Sequence, residues 1–380
     1  MKKIDLIIIT NEHFPIGMAA TNRLLSYSVE IAKYKKVLLL SYAWPVLKNE
    51  AYNFESDGMY KGIEFHYMQK PYREKQSKLI RFFLYYFACI KLFFVLLFKY
   101  NTKSYLYCSR GSFSIMLKII CLLKCQRMFI DTTETREGRP KREEMRFKKR
   151  AQLFNGIICI SEGIISYFSF LGEKANLYLL PVCVELERFD RCAKKTNEKY
   201  FAYCSGMNLE RDGFLDSLNA FLLFHKHHPN YKLKVATGLN HNEAYHQKVW
   251  QIMQQNTDCI DYLGMRPADE IPSLLKNAEA LLITPHHNYV THGFPTKLGE
   301  YLATGVPVVC TSIDDLKNNL EDGCVFMVNP NSPEEIFEKL EIIVADPILA
   351  KQTAARGRMY LEQHYTMKAH LVPLINFLQL

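Results

Sequence analysis

A chain of 380 residues exceeds what one hydrophobic core usually organises and suits two domains of ordinary size. Its 48% hydrophobic, 13% aromatic and 23% charged residues exclude a disordered or fibrous protein, and eleven cysteines with no Cys-x-x-Cys pair exclude a disulfide scaffold or zinc module and point to a reducing compartment. The net charge of +9 is unevenly placed: residues 71–150 hold 19 Lys/Arg against 6 Asp/Glu, a local +13, so the rest of the chain nets −4.

Met1-Lys2-Lys3 followed by Ile4–Ile9 imitates a signal peptide, but the apolar run is short, holds Asp5, and enters Asn11-Glu12-His13 with no small-residue cleavage site. It reads as a first buried strand. Apolar runs at Val37–Tyr42, Ile63–Tyr67, Ser104–Cys108, Met128–Asp131, Gly156–Ile160 and Leu177–Leu180 predict further strands, with helical patterns between them. That alternation is what a parallel sheet with crossover helices requires.

The apolar stretch Leu79–Phe98 nears a membrane span in length, but Arg81 and Lys91 interrupt it, and its longest uncharged piece is Phe82–Ile90. It is not expected to cross a bilayer. Two readings remain: a core helix with exposed cations, or an interfacial helix with aromatics at headgroup depth and Arg/Lys against anionic lipid. Within residues 71–130 Glu74 is the only acid against 11 Lys/Arg, and no nucleic-acid-binding motif accompanies the charge, so nucleic acid is not an expected partner.

Pro181 to Glu198 has a polar run at Arg188–Lys195 and no convincing period, which predicts a linker. Strands then recur at Tyr200–Tyr203, Lys232–Ala236, Ile260–Tyr262, Ala280–Ile283, Val306–Cys310 and Cys324–Val328, and the chain reads helical after residue 333. The predicted class is α/β, with two doubly wound, Rossmann-like sheets.

In such sheets ligands bind outside the carboxyl ends of the strands, where helix N-termini present free N–H groups to phosphate. The loop after Ala280–Ile283 is the most informative. Gly293 permits close backbone approach, Pro295 suits a first helical position, and Glu300 lies beyond the phosphate-facing turn, where a carboxylate can accept both hydroxyl protons of a ribose.

The run Gly293-Phe294-Pro295-Thr296-Lys297-Leu298-Gly299-Glu300-Tyr301-Leu302-Ala303-x-Gly305-x-Pro307-Val308-Val309 resembles the nucleotide-sugar loop of retaining GT-B glycosyltransferases, the large family numbered four, or glycosyl transferases group 1. Further resemblances fall in order at Pro15-x-Gly17, Ile158–Ser161 with Glu162, Pro181-x-x-Val184-Glu185-x-x-x-Phe189 and Tyr203 to Gly213, while residues 70–150 match weakly. The resemblance implies a GT-B architecture of two facing doubly wound domains with a cleft between them. Residues 1–185 would bind the acceptor, 186–363 the nucleotide sugar, and a helix within 364–380 would cross back to the first domain. The implied reaction is transfer of a sugar from a nucleoside diphosphate sugar, with retention, to a glycan or lipid-linked glycan in bacterial surface polysaccharide or glycoconjugate assembly. It would need no metal and no cofactor beyond the donor substrate. The +13 balance of residues 71–150 and the aromatic, acid-poor stretch Leu79–Tyr100, in the half that takes the acceptor, predict a cytoplasmic enzyme peripheral at the inner face of the membrane, against the alternative of a soluble enzyme that buries those aromatics.

By the same resemblance Glu300 holds the donor ribose, the amides of Thr296, Lys297 and Leu298 hold the diphosphate, and Gly293, Phe294 and Pro295 shape the donor loop. Arg211 falls where the family has a phosphate-binding lysine. Gly17 would make room at the reacting centre, with a turn glycine as the alternative. Two departures stand out. His292 occupies the place of the first of two glutamates eight positions apart, the one that faces the donor sugar in the family, so it is a candidate catalytic group that signals an altered donor, a replaced contact or lost activity, and Ser205-Gly206-Met207 lacks a diphosphate-binding arginine. These departures leave open a catalytically silent GT-B subunit, and a GT-B nucleotide-sugar epimerase is the other alternative. Asp131 and Glu134 follow a strand of the first domain and are acceptor-side candidates, or else capping or salt-bridged groups. His286, His287 and His292 lie within seven residues, but no Asp-x-Asp motif supports a metal site.

Overall fold

The computed structural model describes residues 1–17, 19–42, 55–69, 77–109, 113–135, 139–172, 175–192, 197–286, 296–313, 320 and 322–380. It divides into two compact units, Met1–Cys183 with Met367–Leu380, and Val184–Thr366.

The first unit is built on an eight-stranded sheet. Leu6–Thr10 lies at its middle, with all five residues buried, as a strand covered on both faces demands. Val37–Ser41 and Ile63–Tyr67 extend the sheet on one side, and Ser104–Cys108, Arg127–Thr132, Gly156–Cys159 and Leu177–Leu179 on the other, all parallel. The order of winding reverses between Leu6–Thr10 and Ser104–Cys108, which creates a crevice at their carboxyl ends. One edge strand, Asp57–Tyr60, pairs antiparallel with Ile63–Tyr67 and was not expected. Its sequence Asp-Gly-Met-Tyr is never fully buried, so no apolar run marks it.

Alternate sheet residues face two separate cores. Leu6 and Ile8 pack with Leu24, Tyr27 and Leu374, which come from helices Ala19–Ala32 and Met367–Phe377. Ile7 and Ile9 pack with Ala88, Leu92, Leu117 and Ile120, from helices Lys78–Phe94 and Ser114–Lys124. The last residues of the chain are tied to this unit by the Ser104 hydroxyl, which donates to the Leu378 carbonyl at 2.6 Å.

The second unit holds six parallel strands in the spatial order Ile260–Tyr262, Lys232–Ala236, Tyr200–Cys204, Ala280–Ile283, Val308–Thr311, Phe326–Val328. Numbered along the chain this is 3-2-1-4-5-6, with its switch point between Tyr200–Cys204 and Ala280–Ile283. Part of the expected linker is structured here. Glu187–Asp190 is a short helix whose Phe189 is fully buried, and the Val184 amide donates to Tyr365 at 2.8 Å. Sequence reading missed this because one buried aromatic in a charged run has no periodicity to reveal it. All eleven cysteines are free thiols.

Candidate functional site

At the switch point of the second unit, helix Thr296–Ala303 is fixed by its apolar face. Leu298, Tyr301, Leu302 and Ala303 are buried. The Tyr301 hydroxyl accepts from the Cys204 amide at 2.8 Å and donates to the Cys204 carbonyl at 3.1 Å, which pins the helix to the carboxyl end of the first strand. Burial holds the Tyr301 phenol well above its usual pKa, so it remains a donor at any physiological pH.

Lys297, one turn earlier, places Nζ 3.7 Å from the Cys204 sulfur. Burial raises the Cys204 thiol above its ordinary range, against the lowering influence of Lys297, so the lysine charge is not spent on a thiolate. Glu300 is half-buried, and Arg188 Nη1 lies 3.3 Å from its Oε1 while Arg188 Nη2 donates to the Ala268 carbonyl at 3.0 Å. Arg188 is the neighbour that sequence reading missed. It belongs to the short helix inside the expected linker, 112 positions from its partner, and only the adjacent Phe189 motif hinted at structure there.

Arg211 stands in the loop after Tyr200–Cys204. Its backbone is held by the His286 amide, which donates to the Arg211 carbonyl at 3.0 Å, and its side chain, about half exposed, pairs with Asp212 at 2.8 Å. The same loop is locked to the end of Ala280–Ile283 at Gly213, where φ is +65° and a Cβ would lie 1.7 Å from the Thr284 carbonyl oxygen. Only glycine fits there. Thr284 Oγ1 donates to the Gly213 carbonyl at 3.0 Å, and His286 Nε2 sits 2.9 Å from Asp216. Lys297, Glu300 and Arg211 thus all stand on the carboxyl-end loops and helix of the two strands that flank the switch point. Of the remaining donor candidates, His292, Gly293, Phe294 and Pro295 lie outside the described residues, as does His287, and Thr296 is described only as the start of its helix.

The first unit carries a cavity of about 240 Å³ at its own switch point, with Thr10 and Ser109 from the strand ends, Glu134 beside them, and Arg146 and Arg150 from helix Lys141–Ala151 among its lining residues. Phe147, Phe154 and Phe168 supply aromatic lining. The hydroxyl of Thr132, 5% exposed, lines this cavity and has no hydrogen-bond partner among the described residues.

Asp131 also borders the cavity, but its carboxylate is occupied. Arg23 reaches it through Nη2 at 2.9 Å and Nε at 3.0 Å, and the Tyr27 hydroxyl donates at 3.1 Å. The pair is buried, at 7% and 6% side-chain exposure. Burial alone would lower the Arg23 pKa, and the Asp131 carboxylate reverses that and raises it. Of the two roles open in the sequence, the salt-bridged one describes the geometry of Asp131. Gly17 likewise answers to its own loop: a Cβ there would lie 2.2 Å from Thr21 Oγ1, which donates to the His13 carbonyl at 2.6 Å.

Among the described residues, His225, Asp258 and Cys259 bring potential ligand atoms within 4.8 Å of one another. Burial and then Asp258 push the Cys259 thiol up to about 11, so it is a poor thiolate donor at neutral pH.

Residues 198–346 match the family described as glycosyl transferases group 1. No curated protein sequence matches the chain. Among solved structures, sucrose-phosphate synthase from Thermosynechococcus elongatus is 12% identical, with a TM-score of 0.74 over 99% of this chain and 98% of the other. The Anabaena protein HepE, in complex with UDP and glucose, is 12% identical with a TM-score of 0.74 over 99% of each chain. A glycosyltransferase from Rickettsia africae is 12% identical with a TM-score of 0.73 over 99% of this chain and 98% of the other. At these identities the likeness is one of fold: the chain has the GT-B fold, and the similarity to glycosyl transferases group 1 extends over residues 198–346.

Proposed function

We propose that the protein is a retaining glycosyltransferase that moves a sugar from a nucleoside diphosphate sugar to a glycan or lipid-linked glycan, in the cytoplasm, during bacterial surface polysaccharide or glycoconjugate assembly. The observation that carries this reading is Glu300, half-buried on a helix pinned to the switch point by Tyr301 and Cys204. In the proposed complex the ribose hydroxyls donate to Glu300, and the diphosphate lies at the N-terminus of Thr296–Ala303 between Lys297 and Arg211. The HepE complex with UDP and glucose supports that choice of donor class.

As the glycosidic bond breaks, negative charge grows on the leaving diphosphate. The helix dipole, Lys297 and Arg211 stabilise that charge without a metal ion. A diphosphate oxygen then takes the proton of the incoming acceptor hydroxyl on the same face of the sugar, so retention needs no protein nucleophile. The acceptor enters the cavity of the first unit, where Thr132, Arg146 and Arg150 offer polar contacts among aromatic side chains.

Calorimetry with UDP, GDP and ADP tests the assignment. Glu300→Gln is expected to weaken binding of the cognate nucleotide by about 1–3 kcal/mol through loss of charge-assisted hydrogen bonds. Unchanged affinity removes the ribose assignment. His292, at the position of the family's sugar-facing glutamate, favours a second reading, a catalytically silent subunit. Nucleotide-sugar binding with no release of nucleoside diphosphate under any acceptor would support it.

A further inference from the structure

Helix Lys78–Phe94 is apolar on both sides. Its inner side, through Ala88, Cys89 and Leu92, belongs to the same core as the sheet residues Ile7 and Leu38. Its outer side holds Leu79, Phe83, Phe87 and Ile90, exposed by 68%, 64%, 63% and 49%. A surface helix of a water-soluble domain carries polar residues there, and a contiguous exposed apolar patch marks an interaction surface. The patch continues onto the neighbouring helix Ser114–Lys124, whose Ile115, Ile119, Leu122 and Leu123 are 45–69% exposed along one face.

The lysines among these residues leave the face apolar. Lys124 donates to the carbonyls of Leu96 at 3.0 Å and Tyr100 at 2.6 Å, Lys118 to that of Leu153 at 2.9 Å, and Lys91 to that of Met68 at 3.2 Å. Each satisfies a backbone acceptor and keeps its positive charge.

We propose that these two outer faces together form a platform by which the protein docks on an anionic phospholipid bilayer without crossing it. By length and composition Leu79–Lys99 is apolar enough to cross a membrane. Crossing would strip Ala88, Cys89 and Leu92 from the core of the sheet, whereas lying in the interface keeps that core and buries the outer face. Charge selects the occupant. Residues 75–130 contain ten Lys/Arg and no Asp or Glu, so a symmetric contact with a second copy would set cations against cations with no acid to pair them. An anionic headgroup layer complements the same charge and accepts the apolar side chains beneath it.

On their inner sides the same two helices pack against residues next to the cavity. Tyr85 of the long helix and Phe113, just before the second, each lie 5.8 Å from the ring of Tyr42, whose hydroxyl bonds to Ser109 in the cavity wall. The docking does not rest on the transferase reading.

The test is co-sedimentation of the full chain with vesicles of phosphatidylcholine alone or mixed with phosphatidylglycerol, at low and high salt. The wild type is expected to pellet with the anionic vesicles and less so at high salt. F83D/F87D and I119D/L122D, all at exposed positions and checked for unchanged melting temperature, should each weaken pelleting by about tenfold. No lipid-dependent pelleting of the wild type overturns docking, and either pair leaving it unchanged overturns the two-helix surface. A dimer in light scattering that F83D/F87D converts to monomer would assign the face to a second copy and overturn the proposal. Nucleotide affinity of the same preparations, read by calorimetry, is independent of these outcomes.

Discussion

Removing the Arg23 guanidinium isolates a carboxylate that the fold has closed off from water. In Arg23→Ala, Asp131 loses its partners at 2.9 and 3.0 Å and among the described residues keeps the Tyr27 hydroxyl at 3.1 Å, and the Pro181 carbonyl loses the Nη1 donor at 3.1 Å. With both side chains under a tenth exposed, solvent screens little of the loss, and an uncompensated buried charge of this kind costs about 3–5 kcal/mol. The first unit has roughly 200 residues, for which each kcal/mol moves the midpoint by about 2–4 °C, so the transition of that unit should fall by roughly 6–20 °C. The double variant Arg23→Met with Asp131→Leu removes both charges and should recover most of the loss. Differential scanning calorimetry of the full chain, which separates the transitions of the two units if they unfold independently, measures both. A decrease below about 2 °C for Arg23→Ala would refute the account of a buried structural pair. So would Asp131→Asn that leaves the midpoint unchanged while raising the acceptor KM, which would return Asp131 to the acceptor.

Two further predictions concern the donor side. Arg211→Ala should raise the donor KM or lower kcat by more than about tenfold while the melting temperature stays nearly unchanged, because its side chain is half exposed and its backbone is held by His286. A loss of stability without a kinetic effect would make it a structural arginine. Tyr301→Phe leaves the buried Cys204 amide and carbonyl without their hydroxyl partner, at a cost of about 1–3 kcal/mol, and loosens the helix that carries Glu300. Calorimetric nucleotide affinity should fall together with stability, and full affinity at reduced stability would show that the pin does not position the site.

The parallel strands of both sheets could be read from the sequence because burial on both faces leaves continuous apolar runs such as Leu6–Thr10 and Ala280–Ile283. Glu300 and Lys297 were legible for a similar reason: they sit on one short helix whose motif is contiguous. The edge strand Asp57–Tyr60 was not, because it has no buried run to mark it. Arg188 and Glu300 lie 112 positions apart, and Arg23 and Asp131 lie 108 apart, so neither pairing leaves a local trace. The close packing of Thr21 against Gly17 likewise leaves no trace in the sequence. The stretch Leu79–Phe98 makes the division plainest. Its composition established that it is apolar and basic, but an all-round apolar helix has no periodic face to reveal which side meets the sheet. The packing of Ala88, Cys89 and Leu92 against Ile7 and Leu38 decided that, and left the opposite side of the helix outward, because burial is settled between segments far apart in the chain and not within any one of them.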